Sequence, residues 1–381
     1  MTSTTAAYHM DPNKLLLFLV CVALASSTCL GLFTDKVFNV VNYGALPDGK
    51  TDSAQAFLKA WNEACMTDCG WFGKARVRSR VLIPEGTFFS GPVSFEGPCK
   101  SPMVLQVKGV VLAPTTLSAF KAKEWMAFRH VDGLLITGRG KFDGQGDAVW
   151  PSKHGRGLPS TLKLIKMSNT KIRGISLVDS KFFHIHIGQS VGIKIYGIRI
   201  TAPGNSPNTD GIHIGDSTDV RVSQCTIATG DDCISIGSGS SNITMNRIVC
   251  GPGHGISVGS LGKYHYDKGV TAIRVLNSTL VGTDNGVRIK TWRDSPPIAA
   301  TNILFYDIVM KDVRNPIIID QEYCPGSCDE GKPPSRVKIS NVRYENIRGS
   351  SATDVATSIV MSVMNRVYGR CDPCKVKTSL K

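Results

Sequence analysis

Six residues between positions 208 and 290 stand out: three carboxylates, one imidazole and two cations. Asp210 closes Asn208-Thr209-Asp210, Asp231 and Asp232 follow Gly230, His254 lies between Gly253 and Gly255, and Arg288 and Lys290 flank Ile289. Carboxylates brought together raise one another's pKa, so clustering them costs free energy. A cluster beside a histidine therefore points to proton chemistry, and the two cations point to an anionic substrate. That set suits cleavage of a glycosidic bond in an acidic sugar polymer. One carboxylic acid protonates the leaving oxygen and another carboxylate activates water. Clustering keeps one acid protonated at mildly acidic pH, and a guanidinium can hold a sugar carboxylate with two parallel hydrogen bonds. Taken singly, each motif has a duller explanation. An Asp-Asp pair is commonly a turn or a Ca²⁺ ligand, a His among glycines a loop residue, and Arg-x-Lys a solvated strand face.

The elements around these residues decide between the two. One amphipathic segment, Ser53 to Ala64, carries Ala54, Phe57, Leu58 and Trp61 at helical spacing. Beyond it, short apolar runs recur: Leu134–Ile136, Ile172–Leu177, Ile193–Ile200, Val220–Ile227, Ile243–Cys250, Ile273–Leu280, Ile303–Met310 and Val337–Ile347. The first apolar residues of the last six are spaced by 27, 23, 30, 30 and 34 residues, with Gly, Asn, Ser and Asp in the gaps. Such a period predicts a solenoid, in which each coil buries its apolar face only against its neighbours. An α/β barrel would need a helix after each strand, and a β-sandwich would need hairpin turns that are scarce here. The expected fold is an all-β parallel β-helix whose open N-terminal end is capped by the early helix. Asp210 and Asp231 are 21 residues apart and Asp232 and His254 are 22 apart, each about one coil. Arg288 and Lys290 share one strand face, and Tyr323 follows a coil later. These groups are thus predicted to form a stripe along the solenoid, with Asp231 and Asp232 both reaching one groove from a coil corner.

The remaining features bound the setting. The chain has 381 residues and 44 Lys and Arg against 30 Asp and Glu, a formal net charge of +14. The basic residues are scattered, with no nucleic-acid motif, so a polyanionic polysaccharide is the better partner. Lys14, the apolar run Leu15–Ala25 and small residues Ser26 to Thr28 read as a secretory signal peptide over residues 1–29, too short for a membrane span. No later stretch is apolar enough to cross a bilayer. Twelve cysteines favour disulfides after export, and Asn242-Ile243-Thr244 and Asn277-Ser278-Thr279 are glycosylation sequons. A secreted monomer of residues 30–381 is expected.

Four blocks carry a family resemblance: Ser206–Gly211, Thr229–Cys233, Cys250–Gly262 and Arg288–Lys290. In this order and spacing they resemble the signature blocks of the polygalacturonases, glycoside hydrolase family 28, and the plant members most. Gly91-Pro92-Val93, Asp143–Gly146 and Ile319–Cys324 extend the likeness, which runs from about Val37 to Gly349. The resemblance implies a right-handed parallel β-helix and hydrolysis of pectic homogalacturonan with inversion, without metal or cofactor. It implies Asp231 as general acid, Asp210 and Asp232 as the pair that positions and activates water, and His254 as support for protonation. It further implies Arg288 and Lys290 on the galacturonate carboxylate, Tyr323 lining the sugar subsite and Asn208 contacting substrate. A Cys233–Cys250 disulfide, a Cys324–Cys328 bridge and a partner for Cys99 in Cys65 or Cys69 are expected from it. Segment 204–214 and the surroundings of Tyr323 resemble pollen-type exo-acting members, and an endo-acting enzyme is the alternative. The tail 354–381 looks short or altered, and Asn365–Arg370 does not fit the ladder. An impaired, pectin-binding protein is therefore a further alternative, with a pectate lyase and a rhamnogalacturonan hydrolase behind it.

Overall fold

The computed structural model describes residues 35–72, 75–153, 157–326, 331–361, 367–368 and 376–380. The expected signal peptide and Cys328, Cys371 and Cys374 lie outside them. The chain winds into a right-handed parallel β-helix with two stacked parallel sheets of 18 and 11 strands. In chain order, the smaller sheet consists of β1 (Val93–Glu96), β2 (Glu124–Arg129), β3 (Ser160–Ile165), β4 (Ile185–Gly188), β5 (Ile212–Gly215), β6 (Ile234–Ile236), β7 (Ile256–Leu261), β8 (Asn285–Trp292), β9 (Asn315–Tyr323), β10 (Thr357–Met361) and β11 (Val376–Leu380).

The apolar periodicity located the larger sheet. Ile193, Val220, Ile243, Ile273 and Ile303 are register partners in successive coils, as the spacing requires. The next partner is Val342 and not Val337, because the connection after β9 is longer than those after β7 and β8. The central strands of the smaller sheet add inward residues such as Ile185, Ile187, Ile212, Ile214, Ile234 and Ile236, all fully buried. Burying one such side chain contributes about 1.5–3 kcal/mol, and no coil can do so alone.

The corners between strands place non-glycine residues in the left-handed region, among them Asn169, Asp219, Asn242, Asn302 and Asn341, with φ from 49° to 58°. Asn and Asp tolerate this region because their short polar side chains bond locally. Neighbouring coils are tied at these corners, Asn169 Nδ2 donating to Asp132 Oδ1 at 2.7 Å and Asn277 Nδ2 to Asn246 Oδ1 at 2.8 Å. Both sequon asparagines, Asn242 and Asn277, are exposed.

Helix α1 (Ala54–Met66) closes the N-terminal end, burying Phe57, Ala60, Trp61 and Ala64. Trp61 lies with its ring centroid 4.9 Å from that of Phe95 and donates from Nε1 to the Glu96 carbonyl at 3.0 Å. Cys65 is bonded to Cys99, which settles the expected alternative. At the other end Val367 and Tyr368 pair with Val342 and Arg343, and β11 pairs with β10. The expectation that Asn365–Arg370 falls outside the ladder is therefore corrected for Val367 and Tyr368, whose backbone adds a rung despite an irregular apolar pattern.

Candidate active site

The stripe lies on the outer face of β5 to β9 and the corners that lead into them. Ile212, Ile234, Ile256 and Val287 are register partners. Two residues before each stand Asp210, Asp232, His254 and Asn285, so four successive coils present four polar groups at one height. The corner that holds Asp210 is locked to the next one. Thr209 Oγ1 accepts from the Gly230 amide at 3.1 Å and meets Ser206 Oγ at 2.6 Å. A Cβ at Gly230 would sit 2.0 Å from the Ser206 carbonyl oxygen, so only glycine permits this approach. Cys233, beside Asp232, is bonded to Cys250, which opens the corner carrying His254. Asn208 is half-buried in the same corner with φ of 53°. Cys324 is disulfide-bonded, and Cys328, its expected partner, lies outside the described residues.

The three carboxylates occupy three environments. Asp232 is 1% exposed. Its Oδ1 accepts from Ser257 Oγ at 2.7 Å and Arg288 Nη2 at 2.9 Å, and its Oδ2 accepts from Lys290 Nζ at 2.7 Å. Burial alone would raise its pKa, but the two cations override that and bring it down to about 2. Asp210 is also buried and is pushed well above the usual carboxylate range by burial and by the charges of Asp231 and Asp232. Ser235 Oγ, donating to its Oδ2 at 2.6 Å, and the more distant Lys290 oppose this rise. Asp231 is the most open of the three and pairs with His254, Oδ1 to Nδ1 at 3.1 Å. That hydrogen bond raises the imidazole pKa against the effect of burial. His254 Nε2 in turn faces Asp284 Oδ2 at 3.5 Å.

Arg288 and Lys290 project from the same face of β8, with Ile289 turned into the core. The Tyr323 ring covers them, its centroid 5.0 Å from Lys290 Nζ and 5.8 Å from Arg288 Cζ. The two cations meet Asp232 directly, with Asp231 and Asp320 within electrostatic reach. Asp231, Asp232 and His254 bring one ligand atom each within 4.8 Å of one another. They do not fit a divalent cation, because both oxygens of Asp232 are already committed and Arg288 and Lys290 would repel it. The Ca²⁺ alternative is thereby disfavoured on chemistry.

Each acid, base and cation expected from the sequence is thus placed on one face. Ser235, Ser257, His213, Asp284 and Asn285 were missed. Ser235, Ser257 and His213 are register partners of Arg288 in the outward column of β5 to β8, a position readable only once the strands of the smaller sheet are known. Further toward the N-terminal end, the same face opens into a groove of about 410 Å³ whose lining includes Lys163, His186, His213, Gly215 and Gly237. The rings of Phe182 and Phe183 stack with centroids 3.9 Å apart, and Phe183 lies 4.6 Å from the ring of His213, which lines this groove.

The family model for glycosyl hydrolases family 28 matches residues 73–372. The chain belongs to glycosyl hydrolase family 28. Among its family 28 relatives, an exopolygalacturonase of Platanus acerifolia is 45% identical, over 86% of this chain and 86% of that protein. An exopolygalacturonase of Arabidopsis thaliana, clone GBGE184, is 44% identical over 86% and 75%. The crystal structure of a hyperthermoactive exopolygalacturonase from Thermotoga maritima superposes with a TM-score of 0.69, covering 91% of this chain and 86% of that one at 20% identity, which speaks to the fold. Among the described residues no helix is long and apolar enough to cross a membrane.

Proposed function

We propose that this family 28 hydrolase is a secreted polygalacturonase that cleaves the α-1,4 galacturonosyl linkages of homogalacturonan, releasing sugar from the chain end. The observation that carries the reading is the division of labour among three clustered carboxylates beside an anion-binding pair. Asp231, the most open and the partner of a histidine with a raised pKa, is the general acid that protonates the leaving oxygen. Asp232, held anionic by Arg288 and Lys290, and Asp210 orient and activate the attacking water. His254 holds the proton inventory of Asp231. Arg288 and Lys290, under Tyr323, take the substrate carboxylate, and Asn208 contacts the sugar from the adjoining corner.

Inversion needs its own argument. Asp231 and Asp232 bring oxygens within 4.8 Å, closer than the ~6.5–9.5 Å usual for two-carboxylate inversion. Asp232 is nevertheless a poor nucleophile, because three donors occupy its two oxygens, and Asp210 supplies a second carboxylate to hold water. The exo preference rests on the two plant relatives named exopolygalacturonases and on the Phe182–Phe183 pair beside the groove. Export to the cell wall agrees with the signal-peptide pattern, the sequons and the disulfides, and action as a monomer completes the proposal.

Product analysis on polygalacturonic acid in the presence of chelator tests this. Galacturonic acid monomer with slow loss of viscosity, and the β-anomer appearing first by proton NMR, is the expected result. Mixed oligomers with fast viscosity loss would overturn the exo assignment. An initial α-anomer would overturn inversion, and an ultraviolet-absorbing unsaturated product would indicate a lyase.

A further inference from the structure

Two histidines outside the proposed machinery converge on Asp210. His184 is fully buried. Its Nε2 accepts from the Ser180 amide at 3.3 Å, so its Nδ1 carries the hydrogen and donates to the Asp210 main-chain carbonyl at 3.2 Å. His213 reaches the side chain. Ser235 has one hydroxyl hydrogen, given to Asp210 Oδ2 at 2.6 Å, so its oxygen accepts from His213 Nδ1 at 2.8 Å. Every donor in this chain points at Asp210. For Oδ2 to hold a proton, the Ser235 hydroxyl would have to turn to His213, and the imidazole would have to move its hydrogen to Nε2.

We propose that His213 and Ser235 form a donor chain that positions Asp210 and opposes its protonation, a deepening of the reading above in which Asp210 helps activate water. The groups facing Asp210 make such a device necessary. Asp231 and Asp232 oppose its charge from the next corner, Lys290 favours it from β8, and His254 stands one coil beyond. His213 itself faces Ser235, Lys290 and Asp232, with His186 one coil away. Burial, with Lys290 nearby, holds its pKa down to about 4, so it stays a neutral donor through the mildly acidic range. The outer edge of the ring borders the groove beside Gly237, whose missing Cβ would lie 3.5 Å from Nε2. Its Nε2 is thus an acceptor turned toward the side where a sugar hydroxyl would lie.

The test uses Ser235→Ala, which breaks the chain, Ser235→Thr, which keeps the hydroxyl, and His213→Phe, which keeps the ring stack on Phe183 and removes the Nδ1 donor. The pH profile of kcat/KM is read with each, beside a ¹³C-carboxyl NMR titration of the free proteins, which needs no turnover. Losing a hydrogen bond to a charged group should move the Asp210 titration and the acid limb upward by about one pH unit in Ser235→Ala. A smaller shift in the same direction is expected in His213→Phe, and little in Ser235→Thr. An unchanged Asp210 titration would overturn the donor chain, whatever the enzyme's substrate. An upward move of the alkaline limb alone would show Asp210 acting as proton donor, overturning the chain's purpose and the base assignment while leaving glycoside hydrolysis standing.

Discussion

Replacing Asp231 and Asp232 by asparagine, one at a time, should separate catalysis from stability at two adjacent positions. Asp232 is 1% exposed and is the counter-charge to Arg288 and Lys290, whose side chains are 11% and 7% exposed. In Asp232→Asn these two cations face each other without a carboxylate. Removing one member of a buried ionic cluster costs about 3–5 kcal/mol, a fall in Tm of roughly 4–7 °C for a domain this large. The Asp231 side chain is 20% exposed and its partner His254 is 37% exposed, and such a pair is worth about 0–1 kcal/mol. Asp231→Asn should therefore unfold within about 2 °C of the parent. Both variants should lose at least about 100-fold in kcat, the scale of a missing acid or base. Thermal unfolding followed by circular dichroism, with kcat on polygalacturonate, measures both. Adding Lys290→Met to Asp232→Asn removes one orphaned cation and should restore part of the lost Tm. The pH dependence has a definite sign. A carboxylate held at about 2 when folded adds stability above its ordinary pKa of ~4 and loses it as pH falls from there toward 2. The Tm gap between parent and Asp232→Asn should close in that window. Equal Tm values for the two asparagine variants at neutral pH would refute the claim that Asp232 is a structural counter-ion as well as a catalytic group.

His254→Gln should lower kcat by about 10²-fold and reshape the alkaline limb of its pH profile. The Asp231 hydrogen bond raises the His254 pKa, so the protonated pair is present at acidic pH and lost as pH rises. An unaltered alkaline limb would remove His254 from that role. Tyr323→Phe keeps the ring over Lys290 and should change KM little, whereas Tyr323→Leu should raise KM several-fold, since a cation–ring contact is worth about 0.5–2 kcal/mol; equal KM values in a steady-state comparison would argue against the aromatic cover. Cys233→Ser with Cys250→Ser opens a loop of sequence separation 17 and should cost about 3 kcal/mol, read as a lower midpoint in urea.

The larger sheet was legible because its strands are long and strongly alternating, so that Ile193, Val220, Ile243, Ile273 and Ile303 could be put in register from spacing alone. The smaller sheet was not, because β5 and β6 are only four and three residues long and hold two inward residues each, Ile212 and Ile214 or Ile234 and Ile236. A run that short gives too little periodicity to separate a strand from a turn. The site stood out regardless, since charged residues in glycine-rich corners show as composition. The hydroxyls that connect those charges were hidden. Ser235 and Ser257 look like ordinary polar residues between two isoleucines or beside one, and their meaning comes only from the coil-to-coil register that sets them beside Asp210 and Asp232. The departure at Val337 has a similar cause, since an insertion between coils shifts the phase of a repeat without weakening it.

The arrangement of charge explains why three carboxylates are needed where two would do the chemistry. At mildly acidic pH, Asp232, Arg288 and Lys290 form a fixed group of net charge +1, because the titration of Asp232 lies far below that range. In the proposed reading the cation pair takes a galacturonate carboxylate, and the bound substrate then adds a negative charge beside the acids. A further negative charge favours protonation of neighbouring carboxyls, so substrate binding itself should favour a protonated acid in the site. Asp210 feels the same push from a more buried position, where it would take up the proton first and be lost as a base. Only the Ser235 hydroxyl and Lys290 oppose that uptake at Asp210, whereas Asp231 remains open to solvent and to His254. The Ser235 hydroxyl thus works against a protonation of Asp210 that burial and its two carboxylate neighbours favour.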